Sequence, residues 1–155
     1  MISIKKIVIV MIAILILNQI AIAQNQTKEA DAIIGTWKMP DDWGVIKIFK
    51  EGEFYNGKIV YMKQTEDDGT PLRDKENPEE SLRDRNVVGL QVMNGFKYGG
   101  DNVWNDGIFY AALKGKEVEP DFILQNKNQL DIKISFFIFS KTVELTRIDS
   151  LKNKF

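Results

Sequence analysis

The chain has 155 residues, with 21 lysines and arginines against 22 aspartates and glutamates, a formal net charge of −1, and neither cysteine nor histidine. Without histidine there is no Ser-His-Asp or Cys-His catalysis, no imidazole zinc site and no side chain whose ordinary pKa lies near neutrality. Without cysteine there is no disulfide and no thiol to carry a lipid, and an acidic balance with no basic cluster excludes nucleic acid as a partner.

The first element in chain order is a leader. Lys5 and Lys6 precede an unbroken apolar run over residues 7–17, and Ala21-Ile22-Ala23 is a small-x-small cleavage site ahead of Gln24. The pattern predicts a signal peptide over residues 1–23 and a periplasmic or secreted mature chain over 24–155. An uncleaved anchor is the alternative, but Asn18 and Gln19 leave the apolar stretch short of the ~20 residues that a span needs. No stable membrane insertion is expected after cleavage. The remaining 132 residues carry a formal charge of −3 and suit one domain, whose core must supply stability without disulfides.

The mature chain reads as strands of period two. Gly35-Thr36-Trp37 opens the first, and residues 44–50 and 54–63 form a hairpin turned by Glu51-Gly52-Glu53. The connection over 64–86 is predicted to hold one helix: Asn77 caps it, Pro78 suits the first helical position and Glu80 completes a capping-box-like start. That helix would run to about Asp84, with Leu82 inward. Short strands follow over 87–93, 96–98, 102–104 and 108–113, with turns at Asn94-Gly95, Gly99-Gly100-Asp101, Asp106-Gly107 and Lys114-Gly115-Lys116.

Val118, Pro120, Phe122 and Leu124 then alternate with Glu117, Glu119 and Asp121, which reads as one strand with Pro120 at an edge or bulge. The three acidic residues fall on its polar, solvent-facing side. Leu130, Ile132, Ile134 and Phe136 alternate with Asp131, Lys133 and Ser135, and residues 139–148 form the last strand, ending in Thr146-Arg147. Together these predict an all-β fold: a small antiparallel barrel of roughly 8–10 strands, sealed where the terminal strands meet, with one short helix covering a mouth.

The motifs Ile34-Gly35-Thr36-Trp37, Tyr55-Asn56-Gly57-Lys58-Ile59-Val60, Asp68-Gly69-Thr70-Pro71-Leu72-Arg73-Asp74, Asn77-Pro78, Leu82-Arg83-Asp84-Arg85, Gly89-Leu90-Gln91 and Gly95-Phe96-Lys97-Tyr98 resemble the exported bacterial family catalogued as DUF2147. They span nearly all of the mature chain, in order. The resemblance implies a calycin or lipocalin-like barrel with an internal cavity, and no defined substrate or catalytic set. The chain departs from the family pattern in two places. Tyr110 is followed by Ala111 and Ala112 where members carry Tyr-Asp-Pro, and Leu145 stands where a tryptophan commonly precedes the Thr-Arg ending.

Several side chains are candidates for a site. Phe139, Val143, Leu145 and Arg147 share one face of the last strand, pointing inward or toward the closed end, and cation–π stacking of Arg147 on Trp37 beside Gly35 would serve barrel closure. Tyr55, Ile59 and Tyr61 share a strand face and form the expected pocket wall, joined by Phe96, Tyr98, Trp104 and Tyr110; solid filling of a small barrel is the alternative. Phe109 and Phe122 belong to the same aromatic set. Arg83 and Arg85, with Arg73, lie around the expected mouth helix and could clamp a carboxylate or phosphate head, or simply pair with Asp74, Glu76, Glu79 and Asp84. Asp67, Asp68, Asp74 and Glu76 do not have calcium-loop spacing and read as an acidic turn.

The expected function is that of an exported binding protein holding a small hydrophobic, fatty-acid-like or lipid-like ligand in the barrel, with no enzyme activity, metal or cofactor. The alternative is a non-catalytic cell-envelope module without a ligand cavity.

Overall fold

The computed structural model describes residues 4–149. The chain divides between Ala32 and Ile33 into two compact units. The first is built on a helix, α1 (Ile4–Ala30), in which no glycine or proline interrupts the leader sequence. Among the described residues no helix is long and apolar enough to cross a membrane. Residues 150–155 of the expected domain lie outside the described residues.

The second unit has ten strands among its described residues: β1 (Gly35–Lys38), β2 (Gly44–Glu51), β3 (Phe54–Met62), β4 (Gln91–Gly100), β5 (Val103–Asn105), β6 (Ile108–Ala111), β7 (Lys116–Val118), β8 (Asp121–Asn126), β9 (Gln129–Phe136) and β10 (Phe139–Ile148). Neighbours run β3-β2-β1-β10-β9-β8-β5-β4, and β4 pairs back onto β3, so eight antiparallel strands close a barrel. Strands β6 and β7 form a ribbon added to β4. Closure joins β1 to β10 with Trp37 opposite Arg147. Closure pairs each of these eight strands on both sides within the barrel, which removes most of the edge that another chain could pair with.

Alternation places the core. Trp37, Ile46, Ile48, Tyr55, Met93, Phe96, Trp104, Phe122, Leu130 and Leu145 are all buried, each contributing about 1.5–3 kcal/mol by leaving water. The aromatic members interlock edge to face. Phe96 meets Phe122 at 4.9 Å between ring centroids, and Tyr55 meets Trp104 at 6.2 Å.

Several expected boundaries differ, each for a local physical reason. The helix expected over 77–84 is a single 3-10 turn, Glu80–Leu82. The Asn77 carbonyl accepts Arg83 Nε at 2.8 Å, and the Asn77 side chain accepts the Glu79 N–H at 2.9 Å, so side chains occupy groups that a helix would use. Asn94-Gly95 is not a turn but lies within the continuous β4. Gly95 takes φ 71 there, and its N–H donates to Asn56 Oδ1 at 2.9 Å. Pairing slips beside it, with Tyr55 opposite Phe96 but Gly57 opposite Met93, which is a bulge.

The strand expected over 87–93 begins only at Gln91, because Gly89 at φ 100 and a Leu90 N–H to Val87 carbonyl bond turn the chain first. The expected strand over 108–113 stops at Ala111, where a 3-10 turn begins. The single strand expected through Pro120 is two: Val118 pairs with β6, and Phe122 lies between β5 and β9. Pro120 offers no N–H to carry one ladder across.

Candidate functional site

The connection from β3 to β4, residues 63–90, is a long strap pinned by short bridges between Thr65 and Pro71 and between Arg73 and Asn86. Its first bend is an acidic turn in which Asp68 Oδ1 accepts the Thr70 N–H and hydroxyl at 2.9 and 2.6 Å. These bonds hold the Asp68 carboxyl below its usual range. Glu66 is lowered first by its hydrogen bond to Lys75 and then by the Arg73 N–H.

Asp74 is different from its acidic neighbours, because it is fully buried. An isolated carboxylate there would be costly. Its Oδ2 accepts Arg85 Nε at 2.9 Å, Arg85 Nη2 at 2.8 Å and Asn77 Nδ2 at 2.8 Å, while its Oδ1 accepts the Tyr110 hydroxyl at 2.7 Å. The Tyr110 oxygen in turn accepts Asn77 Nδ2 at 2.8 Å, and the Arg85 guanidinium lies 5.7 Å from the Tyr110 ring centre. Burial first, then the hydrogen bond to Asp74 and its charge, raise the Tyr110 pKa above the ordinary phenol value. The phenol is therefore a protonated donor at neutral pH.

Gly115 lets the strap approach the β6–β7 ribbon. It sits at φ 57, and a Cβ there would stand 1.7 Å from the Glu76 carbonyl oxygen. Beside this contact is a groove of about 520 Å³, lined by Asn77, Pro78, Glu79, Leu82 and Arg85 of the strap, Gln91 and Asn94 of β4, and Tyr110, Gly115 and Glu117. Arg85 spends Nε and Nη2 on Asp74; its Nη1 makes no hydrogen bond among the described residues.

The nine residues expected to contact ligand are distributed unevenly. The groove brings together Arg85 and Tyr110. Arg83 is exposed on the strap. Tyr55, Ile59, Phe96 and Trp104 are buried in the barrel. Tyr98 is half-buried, with its ring 5.0 Å from that of Trp104. Tyr61 is also half-buried, and a slip in register at β2 pairs it with Val45 while Ile59 pairs with Ile46, so it does not continue the face of Tyr55 and Ile59.

At the closure, the Arg147 guanidinium lies 4.1 Å from the Trp37 ring centre, with Nη1 donating to the Ile34 carbonyl at 2.8 Å and Nε to the Lys127 carbonyl at 2.6 Å. A Cβ on Gly35 would fall 2.2 Å from Nη1. Burial holds the Arg147 pKa below its ordinary value. Phe139 does not share this inward face: it is 75 % exposed, whereas Leu145 is wholly buried.

Sequence reasoning grouped Asp74 with the acidic turn and overlooked Asn77 as a network member, together with Gln91, Asn94, Gly115 and Glu117. One signal for Asp74 was present. In an extended segment Leu72 and Asp74 share a face, so an inward leucine directs the aspartate inward and Arg73 outward.

An eight-stranded closed antiparallel barrel with short helical turns is the architecture of the lipocalin-like proteins. A family model described as "Uncharacterized protein conserved in bacteria (DUF2147)" matches residues 35–147, and the chain belongs to that family. Among solved structures it is similar to protein HP1028 from the human pathogen Helicobacter pylori, described as belonging to the lipocalin family. The two align with a TM-score of 0.65 at 19% identity, over 77% of this chain and 85% of that one. That likeness speaks for the fold alone. No curated protein matches the chain.

Proposed function

We propose that this chain is an exported, non-enzymatic binding protein that seats one small amphipathic molecule in the groove beside the strap. The observation that carries the reading is the groove of about 520 Å³ in which Arg85 and Tyr110 meet Pro78 and Leu82. Its size lies within the roughly 300–1,000 Å³ of small-molecule sites, and its lining is mostly polar, with Pro78 and Leu82 supplying aliphatic surface. Arg85 is held by Asp74, so presenting Nη1 to a carboxylate or phosphate head costs little reordering. Glu79 and Glu117 line the same groove and disfavour a multiply charged anion, so the head carries a single negative charge.

Export rests on the charged start, apolar run and small-x-small site of the leader. The barrel fold agrees with binding, since small antiparallel barrels hold single small ligands. The mutual engagement of Asp74 and Tyr110 favours binding over proton transfer. One observation supports the alternative, an envelope interaction module without a ligand cavity. Trp37, Tyr55, Phe96, Trp104 and Phe122 are at most 2% exposed, and such packing leaves these side chains no surface for a guest.

Native mass spectrometry of the chain isolated from its own host, followed by titration with single-chain fatty acids and other amphiphiles, separates the two. A one-to-one complex, weakened at least about tenfold when Gln91→Trp fills the groove, is the expected result. A chain that carries nothing from its host and takes up none of these probes would sink the binding reading.

A further inference from the structure

The β9–β10 hairpin extends past the barrel. Strand β8 pairs with β9 only as far as Lys133, and β1 pairs with β10 only at residues 146–148, yet β9 and β10 continue to pair with each other out to Phe136 opposite Phe139. Residues 134–141 thus form a two-stranded arm whose ladder is its own. Phe137 and Ile138 make its tip.

That tip is apolar and uncovered. Phe137 is fully exposed, Ile138 is 89% and Phe139 75% exposed, whereas the next most exposed large apolar side chains among the described residues of the barrel unit, Phe54 and Leu113, stand at 43%. Three consecutive bulky apolar side chains in water mark a contact surface. The backbone supplies a second sign. Phe137 takes φ 49, in the left-handed region where a two-residue hairpin turn favours glycine, asparagine or aspartate and disfavours a bulky ring. Neither core burial nor turn chemistry explains a phenylalanine at this position.

The surrounding charge indicates the partner. Between Ile132 and Val143 the only charged residues are Lys133 and Lys141, both exposed, and Lys133 stands opposite Thr142, so the two ammonium groups are at similar height on the two strands. They lie three to four residues behind the tip, which at about 3.4 Å per residue is roughly 10–14 Å. Interfacial segments bury about 5–10 Å. With the tip at the acyl boundary, both lysines reach the phosphate layer. Glu117 and Glu119 line a groove of about 330 Å³ with Ile134 and Ser135 at the base of the arm. Carboxylates resist entering hydrocarbon, so they limit immersion to the tip.

We propose that the Phe137-Ile138-Phe139 tip is a membrane-contact site that dips into the surface of an anionic phospholipid bilayer while the barrel stays outside it. This is peripheral contact, without the stable insertion that the short apolar leader argues against, and it does not depend on the strap groove.

The test is flotation of the chain from Gln24 onward, which contains the whole barrel unit without the apolar leader. The vesicles are phosphatidylethanolamine with phosphatidylglycerol, compared with phosphatidylcholine alone. The chain is expected to float with the anionic vesicles. Combining Phe137→Gly, Ile138→Ser and Phe139→Ser lowers partitioning at least about tenfold. Replacing Lys133 and Lys141 with serine lowers it roughly fivefold per lysine in the anionic vesicles. Phe137→Gly alone, which suits the turn, weakens flotation while leaving the unfolding midpoint unchanged or raised. A parent chain that does not float, or a tip variant that floats equally well, overturns the proposal. So does a parent chain that ignores vesicles but sediments as a dimer dissociated by the tip variant, since the tip would then bind a second copy.

Discussion

Two arginines in this barrel sit against aromatic rings, and they are stabilised in opposite ways. Arg147 lies over Trp37 and donates to the carbonyls of Ile34 and Lys127, both neutral acceptors. Arg85 lies against Tyr110 and donates twice to the buried carboxylate of Asp74. The first arrangement fastens one strand to another through ring packing and carbonyl bonds. The second pairs two residues of the strap through a buried charge that also ties the strap to Tyr110 of β6, so removing either member leaves the other uncompensated. The closure is a seam; the strap is a preset polar framework beside a groove.

Arg85→Met gives the largest expected effect. Stranding a fully buried charge costs about 3–5 kcal/mol. The Arg85 side chain is 37% exposed, so solvent screening reduces the expected loss to about 2–4 kcal/mol. Adding Asp74→Asn should restore part of it in chemical denaturation; a double variant no more stable than Arg85→Met would break the distinction between seam and framework.

Arg147→Met should cost about 1–3 kcal/mol, from the ring contact and two carbonyl bonds. Its signature is hydrogen exchange that rises along the β1–β10 ladder, not in the strap. Exchange rising first in the strap would contradict the assignment of Arg147 to the seam.

Tyr110→Phe should cost about 1–2 kcal/mol by removing a donor to Asp74 and an acceptor for Asn77. The smallest effect is on pH dependence. The folded chain raises the Tyr110 pKa above its ordinary value of 10.0, so the neutral phenol is the stabilised form. Its contribution is complete below pH 10 and is lost as pH rises through the raised folded value. Stability followed by denaturation across that alkaline range should fall less in Tyr110→Phe than in the parent chain. Equal losses would remove Tyr110 from the account.

The seam was legible in the sequence and the framework was not, and the reason is physical. Period-two alternation along Leu130, Ile132 and Ile134 reports which face is buried, and the first strand's start at Gly35-Thr36-Trp37 and the last strand's end at Thr146-Arg147 lie in regular ladders. The strap has no period, so its buried aspartate resembles its exposed neighbours until Tyr110, Asn77 and Arg85 converge from distant positions. Asn94-Gly95 misled because the pair that makes hairpin turns also makes bulges, and only the partner Asn56 decides between them. Phe139 shares a parity with Leu145, but parity cannot show that the barrel ends before the strand does.

Ligand binding in the strap groove, and not within the packed barrel, is the function proposed for this chain. It is tested most directly by mapping amide chemical shifts in isotope-labelled chain from Gln24 onward during titration with an amphiphile that mass spectrometry shows to bind. Shifts centred on Asn77, Arg85, Gln91, Asn94 and Tyr110, with Tyr55, Phe96 and Trp104 unmoved, are expected. Shifts centred on Tyr55, Phe96 and Trp104 would contradict it.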